Sequence, residues 1–436
     1  MSSIRRRLLA GCAILGLALA GTGCSQDDIL RVDNPNIIDP DDLLNAAGAP
    51  ALYAGAVSEL TSLVNGGFGI ALVSGLFTDE AMHASTPPAV REWDLRNVLS
   101  TNTTAPALFL GLQRARARSE KAAAKVAELV SPTDKRVGEL WAMAAWSYIF
   151  LAELYCSGVP VSEIEPLTYG SPLTTNQLLD SALVRLTSAA AATGGDARIE
   201  NLVAVLRGRA FLDQGSFAAA ATAVAGVPTN FVFQFFHSST TPRQTNQIPV
   251  QFASNIYSVP DREGTNGLNF ASANDPRVPV APSATGVSVN DRVTPMVLYL
   301  KYATPADPVT EASGIEARLI EAEAALPGNP GTWLAKLNEA RATIPALGDL
   351  ADPGTDAARV DLTFRERAFW LYMTAHRLGD LRRLVRQHGR SAESVYPTGG
   401  YHKQGLTRGT QVTWVVPQPE ENNPNFDPAA CDPTQP

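Results

Sequence analysis

Five histidines, His83, His237, His376, His388 and His402, are the side chains best suited to move protons or bind a metal, and they are scattered along the chain. There is no His-Glu-x-x-His helix, no Gly-x-Ser-x-Gly elbow, no phosphate-cradling glycine loop and no Cys-x-x-Cys pair. The usual local signatures of metallopeptidase, serine esterase, nucleotide and thiol-redox chemistry are therefore missing. Glycoside hydrolysis needs only two carboxylates that can be far apart in sequence, so it stays open as an alternative. Asp349, Asp352 and Asp356 could line a calcium loop, but Pro353 and Gly354 among them read better as turn formers. The expectation is a protein without catalysis, cofactor or metal. Recognition has the stronger signal. Two segments, 75–104 and 231–302, break helical period while carrying aromatic and hydrogen-bonding side chains. Long segments of this kind on a helical scaffold are where binding residues concentrate.

A second chemistry is written at the start of the chain. Arg5, Arg6 and Arg7 precede an apolar run from Leu8 to Ala20 and a small-residue approach to Cys24. This is the order of a secretory signal peptide over 1–23, with an apolar run too short for a comfortable membrane span. Gly21-Thr22-Gly23-Cys24 resembles the lipobox of bacterial lipoproteins, which implies a lipidated Cys24 and a polar tether over 24–31. More than one acyl chain would make such an anchor stable. Removing 1–23 takes away three arginines and no acids, moving the formal charge from −8 to −11. An acidic chain offers no basic footprint to a polyanion, so nucleic acid is not an expected partner, and lipid rather than surface charge must hold it to a membrane. Of the four cysteines, Cys156 and Cys431 lie outside this region. An oxidising compartment lets them pair, two free thiols fit the sequence equally well, and separation along the chain does not choose between them. A bridge would pin the tail onto the first helical pair.

The elements that must position these groups read mostly as helix. Over 361–389, Phe364, Ala368, Leu371, Ala375, Leu378, Leu381 and Val385 recur at steps of three and four. That spacing predicts one helix of about seven turns. Thr363 and Glu366 read as a capping box, Arg377 and Asp380 as a pair three residues apart, and Gly389 as the left-handed stop. Helical runs are also expected at 39–60, 105–130, 137–155, 174–192, 200–213, 211–228, 311–326 and 331–344. Pro87-Pro88 forbids a continuous helix through 75–104. The aromatic stripe of Trp141, Trp146, Tyr148, Phe150 and Tyr155 reads as core. Between the helical pairs, 229–310 is an irregular insertion with a few short strands, one of them near Leu298 and Leu300, and 396–436 is a loop-rich tail.

Four stretches together resemble the SusD/RagB family of outer-membrane nutrient-binding lipoproteins. They are Val32, Asn34, Pro35 and Asn36 at the start, Glu316 to Ala342 with Leu337, Asn338 and Arg341, the late helix with Arg367, Arg377, Asp380, Leu381 and Arg383, and Pro417, Glu420, Asn423 and Pro424 near the end. Ala210, Leu212, Gly215, Phe217, Ala220, Val224 and Pro228 also resemble a tetratricopeptide turn. The resemblance implies a mostly α fold of tetratricopeptide-like helical repeats, 105–228 and 311–388, within one domain over 32–436. It implies a surface-exposed, lipid-anchored outer-membrane protein that captures a nutrient, most often an oligosaccharide, and delivers it to a SusC-like TonB-dependent transporter docked on the repeats. In that family aromatic rings stack on sugars while Asn, Asp and Arg take the hydroxyls. Accordingly Trp93 is the expected stacking platform, with Arg91 and Asn97 as hydroxyl partners, and Phe236, Tyr257 and Asn269 are the expected contributors from the insertion. A lipid-anchored glycan hydrolase and a tetratricopeptide adaptor binding only protein are the alternatives.

Overall fold

Alanine-rich amphipathic runs set the architecture, because small side chains on two sides of a helix let its neighbours approach on both. The computed structural model describes residues 44–164, 166–326 and 328–436. Cys24, the tether and the Val32 to Asn36 stretch lie outside the described residues. The described end of the N-terminal unit is a turn in which Asn45 Oδ1 accepts from the amides of Ala47 and Gly48. Everything from Ala49 to Pro436 forms the second unit.

That unit opens with α1 (Ala49–Asn65), α2 (Ile70–Phe77), the two-residue strand β1 (Met82–His83) and α3 (Pro88–Asp94). Pro88 sits at the first helical position of α3, where a missing N–H costs nothing. The stretch 49–77 is long and apolar enough to cross a membrane, yet 72% of its most apolar window is buried. It is two core helices.

The long helices α4 (Ala105–Leu129) and α5 (Lys135–Leu154) follow. Short strand pairs β2 (Val159–Pro160) with β5 (Pro172–Leu173), and β3 (Glu163–Ile164) with β4 (Leu167–Thr168), lead to α6 (Thr175–Ala190), α7 (Ala197–Asp213) and α8 (Phe217–Val224). Side chains write several of these starts. Asp134 caps α5, Thr174 with Gln177 forms a reciprocal capping box on α6, and Asp196 caps α7. Each helix packs on the next through α4, α5, α6, α7 and α8, while α1 lies on α4. Trp146 of α5 is wholly buried, stacked on Phe150 at 6.2 Å.

The insertion contains β6 (Val232–Phe235), α9 (Gln247–Ala253), β7 (Tyr257–Ser258), β8 (Val280–Val287) and β9 (Pro295–Tyr299), and β10 (Val309–Ser313) leads out of it. All its pairings are two-stranded and antiparallel: β6 with β10, β8 with β9, and β7 with β1. The last pairing ties the two non-periodic segments to each other. Helices α10 (Gly314–Ala325), α11 (Pro330–Arg341), α12 (Asp356–Trp370), α13 (Arg377–Arg386) and α14 (Ala392–Val395) complete the stack. Residues 311–313, expected to begin a helix, belong to β10, and Ser313 caps α10 instead.

The single helix expected over 361–389 is two. It starts earlier, at Thr355, whose side chain caps α12 by accepting from the Ala358 amide. Thr363 is no cap: its hydroxyl donates to the Arg359 carbonyl at 2.7 Å and accepts from Trp333 Nε1 at 2.6 Å. Between Trp370 and Arg377 the chain turns through Met373 and Ala375, both at positive φ. Glu80 holds this turn, its side chain accepting from the Met373 amide at 3.3 Å and its backbone carbonyl from the Tyr372 hydroxyl at 2.5 Å. Gly389 does take a positive φ of 66°.

Arg377 and Asp380 do not pair with each other. Arg377 donates to both carboxylate oxygens of Asp79, at 2.6 and 2.9 Å. Asp380 accepts from Arg367 at 2.8 and 3.0 Å and from Arg383 at 2.6 Å. Arg383 continues to Glu323 and Asp213. Opposite charges this close, every one buried, repay their desolvation through these paired donors, with Arg367 Nη1 and Asp213 Oδ2 left without a hydrogen-bond partner.

In the tail, Trp414 exchanges backbone hydrogen bonds with the end of α5, donating to the Leu154 carbonyl at 2.7 Å and accepting from the Cys156 amide at 3.2 Å. Cys156 and Cys431 are joined by a disulfide with Cα atoms 5.2 Å apart. Asp352 and Asp356 both hold Arg359, and Asp352 also closes the turn at Gly354, so they act as turn and pairing groups.

Candidate functional site

Strand β6 alternates, so Phe233 and Phe235 point into the core against Trp146 while the chain leaving the strand turns Phe236 outward. Phe236 is 76% exposed, the most exposed large apolar side chain among the described residues. It lies on the rim of an open cleft of about 420 Å³ between α1 and the β6 end, with Tyr53, Val57 and Ser58 on the α1 side. Gln234, His237, Ser238 and Gln244 add hydrogen-bonding groups.

Glu139 of α5 and Arg198 of α7 form the polar wall. Arg198 meets both Glu139 oxygens, and its guanidinium lies over the Phe233 ring at 4.9 Å. Burial opposes the Arg198 charge, but the Glu139 hydrogen bond and charge outweigh it and raise its pKa further. Burial, then the charge of Glu139, pushes the Tyr53 phenol above its ordinary value. The phenol thus stays neutral at any physiological pH, with Glu139 as its hydrogen-bond partner. Burial lowers the His237 pKa, so this ring also stays neutral. The cleft therefore presents an exposed aromatic face beside neutral donors and acceptors, the combination that fits a polyhydroxylated ring.

Two further hollows continue the cleft. One of about 310 Å³ shares Ser62 with it, and another of about 330 Å³ shares Arg114 with the second. The third is walled by Leu110, Leu167, Tyr169 and Asn422, with Leu167 and Tyr169 62% and 43% exposed.

Of the six expected ligand contacts, only Phe236 lines the cleft. Trp93 is fully buried, edge-on to Trp414 at 5.0 Å and to Phe68 at 6.4 Å, with Nε1 donating to Thr104 Oγ1 at 2.9 Å. It anchors the 75–104 segment to the core and offers no face to a sugar. Tyr257 is likewise buried, against Phe252 and Tyr299-bearing β9, because β7 pairs with β1 inside the protein. Arg91 is half-buried on α3 and donates to Gln404 at 2.6 Å, while Asn97 is exposed just beyond the same helix. Asn269 is half-buried and accepts from Arg365 at 2.9 Å. Tyr53, Glu139 and Arg198, which line the cleft, leave little signal in the sequence because each lies on a regular helix; the signal for Tyr53 is an aromatic in an otherwise small-residue stretch of α1.

One grouping could be weighed as a metal centre. Asp94, Glu263 and His402 bring ligand atoms within 4.8 Å of one another. Arg408 already donates to Glu263 and to the Asp94 backbone carbonyl, and Lys403 donates to His83 O at 2.6 Å nearby. Burial, partly countered by Arg408, drives the Glu263 carboxyl well above its usual range. A proton-bearing acid beside a fixed guanidinium does not suit a divalent cation.

Neither a protein-family model nor a curated protein matches the chain. Solved structures do. A SusD superfamily protein from Bacteroides thetaiotaomicron VPI-5482 superposes with a TM-score of 0.68 at 14% identity, covering 88% of this chain and 99% of that one. A SusD-like carbohydrate-binding protein from Bacteroides fragilis NCTC 9343 gives 0.65 at 15% identity over 88% and 99%. NanU of B. fragilis gives 0.59 at 14% identity over 89% and 99%.

Proposed function

We propose, starting from a chain that has the SusD-like fold, that this protein is a non-catalytic, surface-exposed outer-membrane lipoprotein that captures an oligosaccharide. One observation carries the reading: an open cleft on that fold sets a ring exposed over three-quarters of its surface, Phe236, beside Tyr53, Gln234 and Gln244. Stacking on the ring and hydrogen bonds from the neutral groups are the two interactions a pyranose offers. The described lining of the cleft has a single carboxylate, Glu139, and Arg198 occupies both its oxygens. Glycoside hydrolysis needs two carboxyl groups flanking the scissile bond, one of them free to carry a proton, which supports binding over cleavage.

Lipidation of Cys24 would hold the protein to the membrane, and the helical stack would supply the rigid face that docks on a SusC-like TonB-dependent transporter, to which the ligand passes. Calorimetric titration with a panel of oligosaccharides tests the cleft. Phe236→Ala should fold normally and bind about two- to tenfold more weakly, the share of a stacked ring. Unchanged affinity would remove Phe236 from the site. For anchoring and delivery, Cys24→Ala should move the protein to the soluble fraction, and detergent extracts of wild type should yield a TonB-dependent receptor.

A further inference from the structure

The middle hollow is unlike the two that flank it. Arg114 and Arg118 of α4 lie one turn apart on the same helix face, and Arg243 reaches them from the loop before α9. All three meet one carboxylate: Glu59 Oε1 lies 3.4 Å from Arg114 Nε, and Oε2 lies 2.6 Å from Arg118 Nη1 and 2.7 Å from Arg243 Nη2. The Arg243 segment is fastened to α1 by Ser62, whose hydroxyl donates to the Arg243 carbonyl at 3.0 Å. Among the described residues no other acid lines this hollow. Three guanidinium charges against one carboxylate leave two positive charges on the surface of a chain whose net charge is −8.

A purely structural role explains this poorly. The arginine side chains are 50%, 57% and 60% exposed while Glu59 is 9% exposed. Exposed ion pairs contribute little to stability, and the three like charges repel. Glu59 instead orients the forks. Each guanidinium spends only one N–H on it at most, which leaves donors on all three side chains lining the hollow, in the planar geometry that matches a carboxylate or sulfate. The anion would sit between a hollow with an exposed Phe236 and a hollow with an exposed Tyr169. Of the acids in the third hollow, Glu163 is paired with Arg116 at 2.9 Å.

We infer that the ligand is an anionic oligosaccharide, whose carboxylate or sulfate is held by Arg114, Arg118 and Arg243 while neighbouring sugar rings lie against Phe236 and Tyr169. This rests on the oligosaccharide reading above and adds the charge of the substrate to it. The test uses the mature protein and matched probes: trigalacturonate against its full methyl ester, and a chondroitin sulfate tetrasaccharide against its desulfated form. At low salt the free acid should bind at least tenfold tighter than the ester, with the advantage shrinking as salt rises. The sulfated pair shows which anion the forks prefer. Arg118→Gln with Arg243→Gln should bring the acid down to the level of the ester and leave the ester unchanged. Should that double variant fold poorly, the loop variant Arg243→Gln alone should lower acid affinity several-fold. Phe236→Ala should weaken acid and ester alike. Equal binding within both the carboxylate and the sulfate pair, or an anion preference that survives loss of the arginines, overturns the inference and leaves saccharide capture standing. Absence of binding to every charged and neutral saccharide overturns both.

Discussion

Trp93 and Phe236 were expected to do the same work, and their surroundings separate them. Trp93→Ala should cost about 3–5 kcal/mol of stability through the cavity left beneath Trp414, while the folded fraction binds ligand with unchanged affinity. Thermal melts paired with titration check both halves. Chain pattern alone does not tell the two rings apart, since each lies in a non-periodic segment, and exposure is decided by Phe68, Thr104 and Trp414 arriving from elsewhere. Glu311 gives a prediction in pH. It is buried, Asn65 Nδ2 donates to one oxygen at 2.9 Å, and the other has no partner. Burial pushes its pKa up to about 8 from an ordinary 4.5, despite the Asn65 bond and Arg209. The folded state therefore binds the proton more tightly than the unfolded chain. Stability from this group is complete below the unfolded value and is lost as pH rises through about 8. Glu311→Gln keeps the shape without the proton, so its melting temperature relative to wild type should climb between pH 5 and pH 9. A difference that stays constant with pH would show that Glu311 does not titrate in this way.

At the level of elements, the helical pairs were readable because each carries its own stripe, and their ends fall within a few residues of the caps. Breaks were less readable. The apolar period runs on through Leu371, Ala375 and Leu378, so nothing local announces the turn between α12 and α13; it is imposed by Glu80, nearly 300 residues away, accepting from the Met373 amide. Thr363 misled for a similar reason: a Thr followed by Glu at the third position has the spacing of a cap, but its hydroxyl is engaged by Trp333. The arginine hollow has no signature in the sequence because its parts lie on α1, on α4 and in the loop before α9, and only folding assembles them. Arg116, between Arg114 and Arg118 in sequence, points the other way and is buried against Glu120 and Glu163. Fastening α12 to α13 falls to Asp380. Asp380→Asn leaves Arg367 and Arg383 short of a buried counter-charge and should cost about 3–5 kcal/mol, measured by urea unfolding. A loss under 1 kcal/mol would mean that water or Glu323 takes over the role.

Across the whole molecule, the tail and α5 are joined twice, by the Trp414 backbone bonds and by the Cys156–Cys431 disulfide. Replacing both cysteines with alanine should lower stability by about 3–5 kcal/mol, the value expected for releasing so long a loop, and a reducing agent should lower the wild-type melting temperature to match. Insensitivity of the melt to reductant would indicate that the backbone bonds alone hold the tail. The distance between the two cysteines also bears on biogenesis. Ribosomes build from the N-terminus, and the partners are 275 residues apart, so Cys156 exists as a solitary thiol for most of the time the chain is being made. In the finished protein it is wholly enclosed by α5 and its neighbours. Oxidation must therefore precede or accompany closure of that region around the arriving tail, so an exported chain truncated before residue 431 would carry Cys156 as a thiol without its partner.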